Sequence, residues 1–321
     1  MKIFNYKWLY MSIVALVAIL GSACSSEEKG TLILIEQDWD GQIVTTAVAK
    51  ILLQEELGLD VEQKFAPADS AAMFAGLESG EFHFACCNWP SFSRGFLDDF
   101  VIARGAVERI GSTGILGSNG WFFPRYMVEG DSSRNIAPTT PNLRSYEDMN
   151  EYSDVFATAD TGGKGRLLDF TPGWDYQNQN RLDALGVDYQ VAFSGSEAAS
   201  FAEMDATYKR GGPILMVMWG PHWAHAKYDL VEIDIPDYTS DCYPEGTEYA
   251  CGWPYDDVAK LAWPGLEDDF PKAYAFFQNF TITNDQQNEM VLAVTEGGKT
   301  YEEAAREWVT ANKSVWSSWI P

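Results

Sequence analysis

Four of the twelve tryptophans in this chain close apolar runs of strand length. Trp39 follows TLILIEQD, Trp89 follows FHFACCN, Trp174 follows RLLDFTPG and Trp219 follows PILMVM. In an α/β sheet, ligands bind in the crevice at the carboxyl ends of the strands. Indoles converging there form an electron-rich box suited to a quaternary ammonium, a cation with no N–H to donate. The competing reading is that large aromatics fill a core. All four lie at a strand end with Gly or Pro close by, which favours the box.

Two of these tryptophans have polar neighbours of interest. In PGWDYQNQNRLDALG the chain turns at Pro172-Gly173, and a helix is expected to start directly after Trp174. The first amides of a helix lack intrahelical partners and make an anion site. The amides of Asp175 and Tyr176 are therefore candidate carboxylate partners, with the alternative that Asp175 only caps its own helix. In MVMWGPHWAHAKYDLV, Trp219 and a Gly-Pro turn lead to His222, Trp223 and His225. His222 is a candidate donor to a ligand carboxylate, and Trp223 either lines the pocket or packs beneath it. Trp121, in NGWFFPRY, falls near an expected crossover and is a further candidate for the cleft or a hinge.

Catalytic signatures are missing. No serine occupies a G-x-S-x-G elbow, and GGKG at 162–165 lacks the spacing of a phosphate-binding loop. Three histidines leave little for acid–base work. His222 and His225 alone do not make a metal site, which needs more ligands at suitable spacing. No enzyme activity, cofactor or metal is expected.

The opening 23 residues read as an export signal: Lys2 and Lys7, the apolar MSIVALVAIL, then GSAC. Cys24 stands where a lipid-modified N-terminal cysteine would, ahead of the polar stretch to residue 30. The protein is expected outside the cytoplasm, at the cell surface or in a periplasm, held to the membrane by that anchor. Export makes disulfides plausible. Cys242 and Cys251 bracket YPEGTEYA and are expected to pair, whereas the adjacent Cys86 and Cys87 are expected to be free buried thiols, with a strained vicinal disulfide as the alternative. The formal net charge is −25, which excludes a nucleic-acid-binding surface.

The elements that must position the tryptophans alternate. TLILIEQ, VEQKFA and FHFACCN read as strands separated by QIVTTAVAKILLQEELG and SAAMFAGLESG, which read as helices. This βαβαβ start implies a mostly parallel sheet with helices on both faces. A second α/β set follows from NGWFFPRYMVE onward, while 97–118 shows no clear pattern. Three helical stretches close the chain and must return to the first unit. At roughly 300 residues past the signal, two domains are expected.

The order of these pieces resembles the substrate-binding proteins of ABC importers for glycine betaine and proline betaine. The resemblance rests on NWP after a strand, GWFFPRYMVE, GKGRLLDFTPGW and above all GGPILMVMWGPHWAHAKYDLV, followed by a loop with two cysteines. It implies an α/β, type II periplasmic-binding-protein fold. Lobe 1 would comprise 31–118 plus 236–321, and lobe 2, inserted into it, 119–235, with the ligand cleft between them. It implies a prism of Trp89, Trp174 and Trp219 around a methylated ammonium, with Trp39, Trp121 and Trp223 as further wall candidates. Asp175, Tyr176 and His222 would meet the carboxylate. Asp175 departs from the family pattern, leaving trimethylamine N-oxide, choline or dimethylsulfoniopropionate as alternative ligands and an exported enzyme as a more distant reading. The implied partner is a membrane permease, and the implied state a monomer.

Overall fold

The computed structural model describes residues 30–174, 176–242 and 249–321. The signal segment, Cys24 and Asp175 lie outside the described residues. No helix among them is long and apolar enough to cross a membrane.

Nine strands form one mixed sheet: β1 (Leu32–Glu36), β2 (Val61–Phe65), β3 (Phe84–Asn88), β4 (Glu108–Pro124), β5 (Gly165–Asp169), β6 (Tyr189–Phe193), β7 (Met216–Gly220), β8 (Leu230–Glu232) and β9 (Asp256–Ala262). Their order is β2-β1-β3-β9-β4-β7-β5-β6, with β8 on β4. The outer trios β2-β1-β3 and β7-β5-β6 are parallel. The middle is antiparallel: β9 pairs with both β3 and β4, and β4 with β7 and β8. Helices flank both ends of this path, as parallel connections require.

β4 is the element that joins the two ends. Residues 108–117 pair with β9, and residues 118–124 pair with β7 and β8. Two register shifts interrupt its pairing with β9, at Arg109–Gly111 and Ser112–Leu116. Gly111 and Gly114 there take positive φ (128° and 88°), backbone that only glycine adopts without cost. The expected strand at NGWFFPRYMVE is thus only the second half of β4, which ends at Pro124. Tyr126–Glu129 is a turn of helix.

Three helices near the end of the chain, Pro271–Asn279, Asn284–Thr295 and Tyr301–Ala311, pack on its first half. Gln287 Nε2 donates to Gly41 O and Thr45 Oγ1, both at 3.0 Å. Tyr301 hydroxyl donates to Asp40 Oδ1 at 2.6 Å. The helix Asp40–Glu55, which these elements cover, is buried along most of its length. Its start is fixed by Gln42: the Gln42 side chain accepts from Gln37 N at 2.8 Å and donates to Ile35 O at 2.8 Å.

Candidate ligand-binding site

A cavity of about 280 Å³ opens between the two ends of the sheet, lined by Trp39, Trp89, Trp174, Trp219 and Tyr176 among others. That volume sits at the small end for small-molecule pockets. Trp39 precedes the Asp40 helix after β1, and Trp89 is the residue before the Pro90–Phe96 helix after β3. Trp174 lies on the turn after β5, and Trp219 within β7. Three of the four indoles are buried; Trp174 is half-buried.

Their rings succeed one another edge to face. Trp89 and Trp39 have centroids 6.2 Å apart at 73°. Trp39 and Trp219 are 6.4 Å apart at 87°. Trp219 and Trp174 are 5.6 Å apart at 76°. Four successive rings at near right angles thus line one cavity, and the face of an indole carries the negative side of its π quadrupole.

Each wall is held from behind. Trp39 Nε1 donates to Gln37 Oε1 at 2.9 Å. Trp174 Nε1 donates to Asp38 Oδ2 at 3.0 Å. Trp219 is backed by Phe170 at 4.9 Å and by the His222 ring at 4.6 Å. A Cβ built on Gly117 of β4 would fall inside contact distance of the Trp89 ring, so only glycine leaves that indole its place.

Among the described lining residues one carries a carboxyl: Asp69. Its backbone is left-handed (φ 48°). Asn88 Nδ2 donates to one oxygen, and Trp89 N approaches the other at 3.4 Å. Burial pushes its pKa from 3.8 to about 7, against the lowering effect of these two donors. Among the described lining residues there is no Lys, Arg or His. The described lining therefore presents indole rings and one carboxyl group, and no basic side chain.

Several expected site residues lie elsewhere. Trp121 is fully buried in β4, with Nε1 donating to Asn178 Oδ1 at 2.8 Å and its ring against Trp253. Its alternation in β4, not its place in the sequence, decides this. Trp223 packs behind the cavity on Phe201 and His222 and does not line it. His222 is also behind the wall. Its Nδ1 accepts from Ala224 N at 3.2 Å, so its Nε2 proton meets Glu197 Oε1 at 3.0 Å. Burial pushes its pKa down to about 3, and the ring stays neutral. A histidine with both nitrogens engaged inside the protein has no donor left for a ligand.

The helix after Trp174 begins at Asn178, three residues later than the expected start. The Tyr176 amide donates to Trp174 O at 2.9 Å, so it is not a free anion donor. Tyr176 contributes its side chain instead, edge-on to Phe92 at 4.7 Å. Asp69, Phe92 and the backing residue Glu197 are the parts that sequence reasoning missed. Asp69 sits one residue before a helix cap in PADSAAM, a place where Asp is ordinary.

The sulfur atoms of Cys242 and Cys251 are at bonding distance, with Cα atoms 6.1 Å apart, a span that a bridge accommodates. Cys86 and Cys87 are likewise at bonding distance, contrary to the expectation of free thiols. Cys87 has φ 68°, which turns the chain so that the neighbouring side chains meet.

Comparison with known proteins adds three findings. A family model described as the substrate binding domain of the ABC-type glycine betaine transport system matches residues 30–311. A trimethylamine N-oxide-binding protein from Pelagibacter ubique (strain HTCC1062) is 28% identical over 315 residues, covering 95% of each chain. Two crystal structures share the fold. One is lactococcal OpuAC, closed on glycine betaine, with TM-score 0.68, 18% identity, and 91% of this chain and 99% of that chain covered. The other is the glycine betaine/L-proline-binding protein ProX from Borrelia burgdorferi, with TM-score 0.70, 20% identity, and 91% and 97% covered.

Proposed function

Because this chain belongs to the family of substrate-binding domains of ABC-type glycine betaine transport systems, we propose that it captures a small methylated-ammonium solute, glycine betaine or a near relative, in the box of Trp39, Trp89, Trp174 and Trp219, and hands it to a membrane permease. The observation that carries this reading is the run of edge-to-face indoles. Each desolvated cation–π contact contributes up to about 2 kcal/mol. Three or four supply much of the roughly 8 kcal/mol that a micromolar complex needs.

One observation favours a second reading within this class. The lining holds the Asp69 carboxyl and no described basic side chain. A ligand whose polar end is a single oxygen, such as the trimethylamine N-oxide named for the Pelagibacter ubique relative, suits that lining better than one with a full carboxylate. The Asp69 proton, retained up to about pH 7, supplies the hydrogen bond to that oxygen.

The remaining features follow from the same reading. Residues 31–118 with 236–321 form one lobe, and 119–235 the other, hinged at β4 and at the chain near 236. Residues 1–23 direct export, Cys24 carries a lipid that holds the protein at the membrane outside the cytoplasm, and Cys242–Cys251 is a disulfide formed there. The protein works as a monomeric binder, without turnover of its ligand.

Isothermal titration of the exported form against glycine betaine, trimethylamine N-oxide, choline and dimethylsulfoniopropionate tests the proposal. Saturable one-to-one binding of at least one is the expected result. Silence across the panel removes the reading.

A further inference from the structure

Glu197 touches no part of the cavity, yet it joins the two ends of the molecule. It is the first residue of the helix Glu197–Arg210, whose own cap is Ser196 Oγ accepting from Ala199 N. Its side chain is 5% exposed. One carboxyl oxygen accepts from Asp40 N, at the start of the helix Asp40–Glu55, at 3.0 Å. The other faces His222 Nε2 at 3.0 Å.

The partner helix needs this contact. Trp39 is its N-cap residue and makes no side-chain cap hydrogen bond. An N-terminal helix amide without a capping side chain is an orphan donor, and the Glu197 carboxyl fills the role from 157 positions away. On its other side Glu197 holds His222. That ring stacks on Phe201 at 4.3 Å and meets Trp219 at 4.6 Å. Glu197 thus grips the helix that carries Trp39 and the histidine that backs Trp219, two adjacent walls of the box.

We propose that Glu197 is the latch of lobe closure: its bond to the Asp40 amide forms only when the lobes meet, and it slows ligand release without touching ligand. This rests on the two-lobed binding reading above. In an open molecule Glu197 and the Asp40 amide both face water, so losing the bond costs the open state little. A buried, hydrogen-bonded group lost from one side of an interface acts mainly on the dissociation rate.

Two variants test it from opposite sides, with stopped-flow tryptophan fluorescence using whichever panel solute the wild-type protein binds. Glu197→Ala removes the acceptor. Asp40→Pro removes the donor at a first helical position, where proline is tolerated and the preceding Trp39 is already extended (φ −143°, ψ 144°). Asp40→Ala is the control, keeping the amide while removing the carboxylate. The expected result is that Glu197→Ala and Asp40→Pro raise the dissociation rate roughly tenfold or more, with association within about twofold. Asp40→Ala retains the wild-type rate.

Thermal melting of the ligand-free proteins separates a latch from a merely structural role. A latch leaves the ligand-free Tm of Asp40→Pro within about 2 °C of Asp40→Ala, which shares its loss of the Tyr301 bond, whereas a lost structural contact lowers it further. Wild-type dissociation rates in both Glu197→Ala and Asp40→Pro, or a ligand-free Tm of Asp40→Pro more than about 2 °C below that of Asp40→Ala, overturn the latch while leaving solute binding intact. A wild-type protein that binds no panel member overturns both.

Discussion

The indole nitrogen of Trp174 donates to Asp38 Oδ2 at 3.0 Å, joining residues 136 positions apart that follow strands from opposite ends of the sheet. Asp38 also accepts from Ala68 N at 3.2 Å, next to the lining carboxyl Asp69. This bond fixes the most exposed wall of the box to the opposite side. Replacing Trp174 with Phe keeps an aromatic face and deletes the bond. A hydrogen bond to a charged group contributes about 1.5–3 kcal/mol, less where water reaches it. The expected loss is about tenfold in affinity, and Asp38→Ala should add little on top of it. Titration of the two single variants and the double variant checks this coupling.

Removing a whole wall should cost more. Trp39→Ala, Trp89→Ala and Trp219→Ala each delete an inward face and open a void in a buried cluster. More than tenfold weakening is expected for each, by titration. Trp121→Phe should leave affinity within about twofold, because Trp121 is in the core of β4 and its cost falls on stability.

Gly117 makes no contact with a ligand, yet it governs Trp89. An added Cβ there meets the indole within contact distance. Overpacking of this kind costs about 1–3 kcal/mol. Gly117→Ala should therefore tilt Trp89 and weaken solute binding by an amount comparable to Trp89→Ala. Unchanged affinity would show that the ring has room to yield.

The Asp69 carboxyl makes binding and stability depend on pH. Burial raises it from 3.8 to about 7 in the folded protein. Between those values the folded chain holds a proton that the unfolded chain has released, so this group's contribution is present below about pH 4 and is lost as pH rises through about 7. Asp69→Asn should flatten that part of the stability profile, measured by denaturant midpoint against pH. A solute whose oxygen accepts the Asp69 proton should bind less tightly as pH rises through about 7. Choline, whose hydroxyl can donate to the ionised carboxylate, should bind more tightly over the same range. Titration of trimethylamine N-oxide and choline at pH 6 and pH 8 reads the two signs.

The four tryptophans that line the cavity stood out in the sequence because each falls at or just beyond the carboxyl end of a strand, with Gly or Pro close by. Trp121 follows Gly120 and Trp223 follows Gly220-Pro221, so the same marks did not set them apart, and the side that Trp121 faces depended on strand pairing. Trp121 faces Val217 across β4 and β7. The first half of β4 was hidden because register shifts around Gly111 and Gly114 break its alternation. Asp69 and Glu197 were invisible for another reason. Their partners, Asn88 and Asp40, lie 19 and 157 positions away, and a lone acid at a helix start looks like any capping residue. The mixed sheet, with β9 and β4 antiparallel at its centre, likewise depends on pairings between distant segments that local periodicity does not specify.

The central claim is that the box selects positive charge, and paired calorimetric titrations test it most directly. The wild-type protein is titrated with its best-bound trimethylammonium solute and with the neutral tert-butyl isostere, at equal ionic strength. Shape and apolar area are nearly the same in the two ligands, so the difference isolates cation–π attraction and the Asp69 carboxyl. Binding of the charged solute at least a hundredfold tighter than the isostere is the predicted result, since several contacts of about 1 kcal/mol or more are lost together. Equal affinity for the two would contradict a cation box and leave only an apolar pocket.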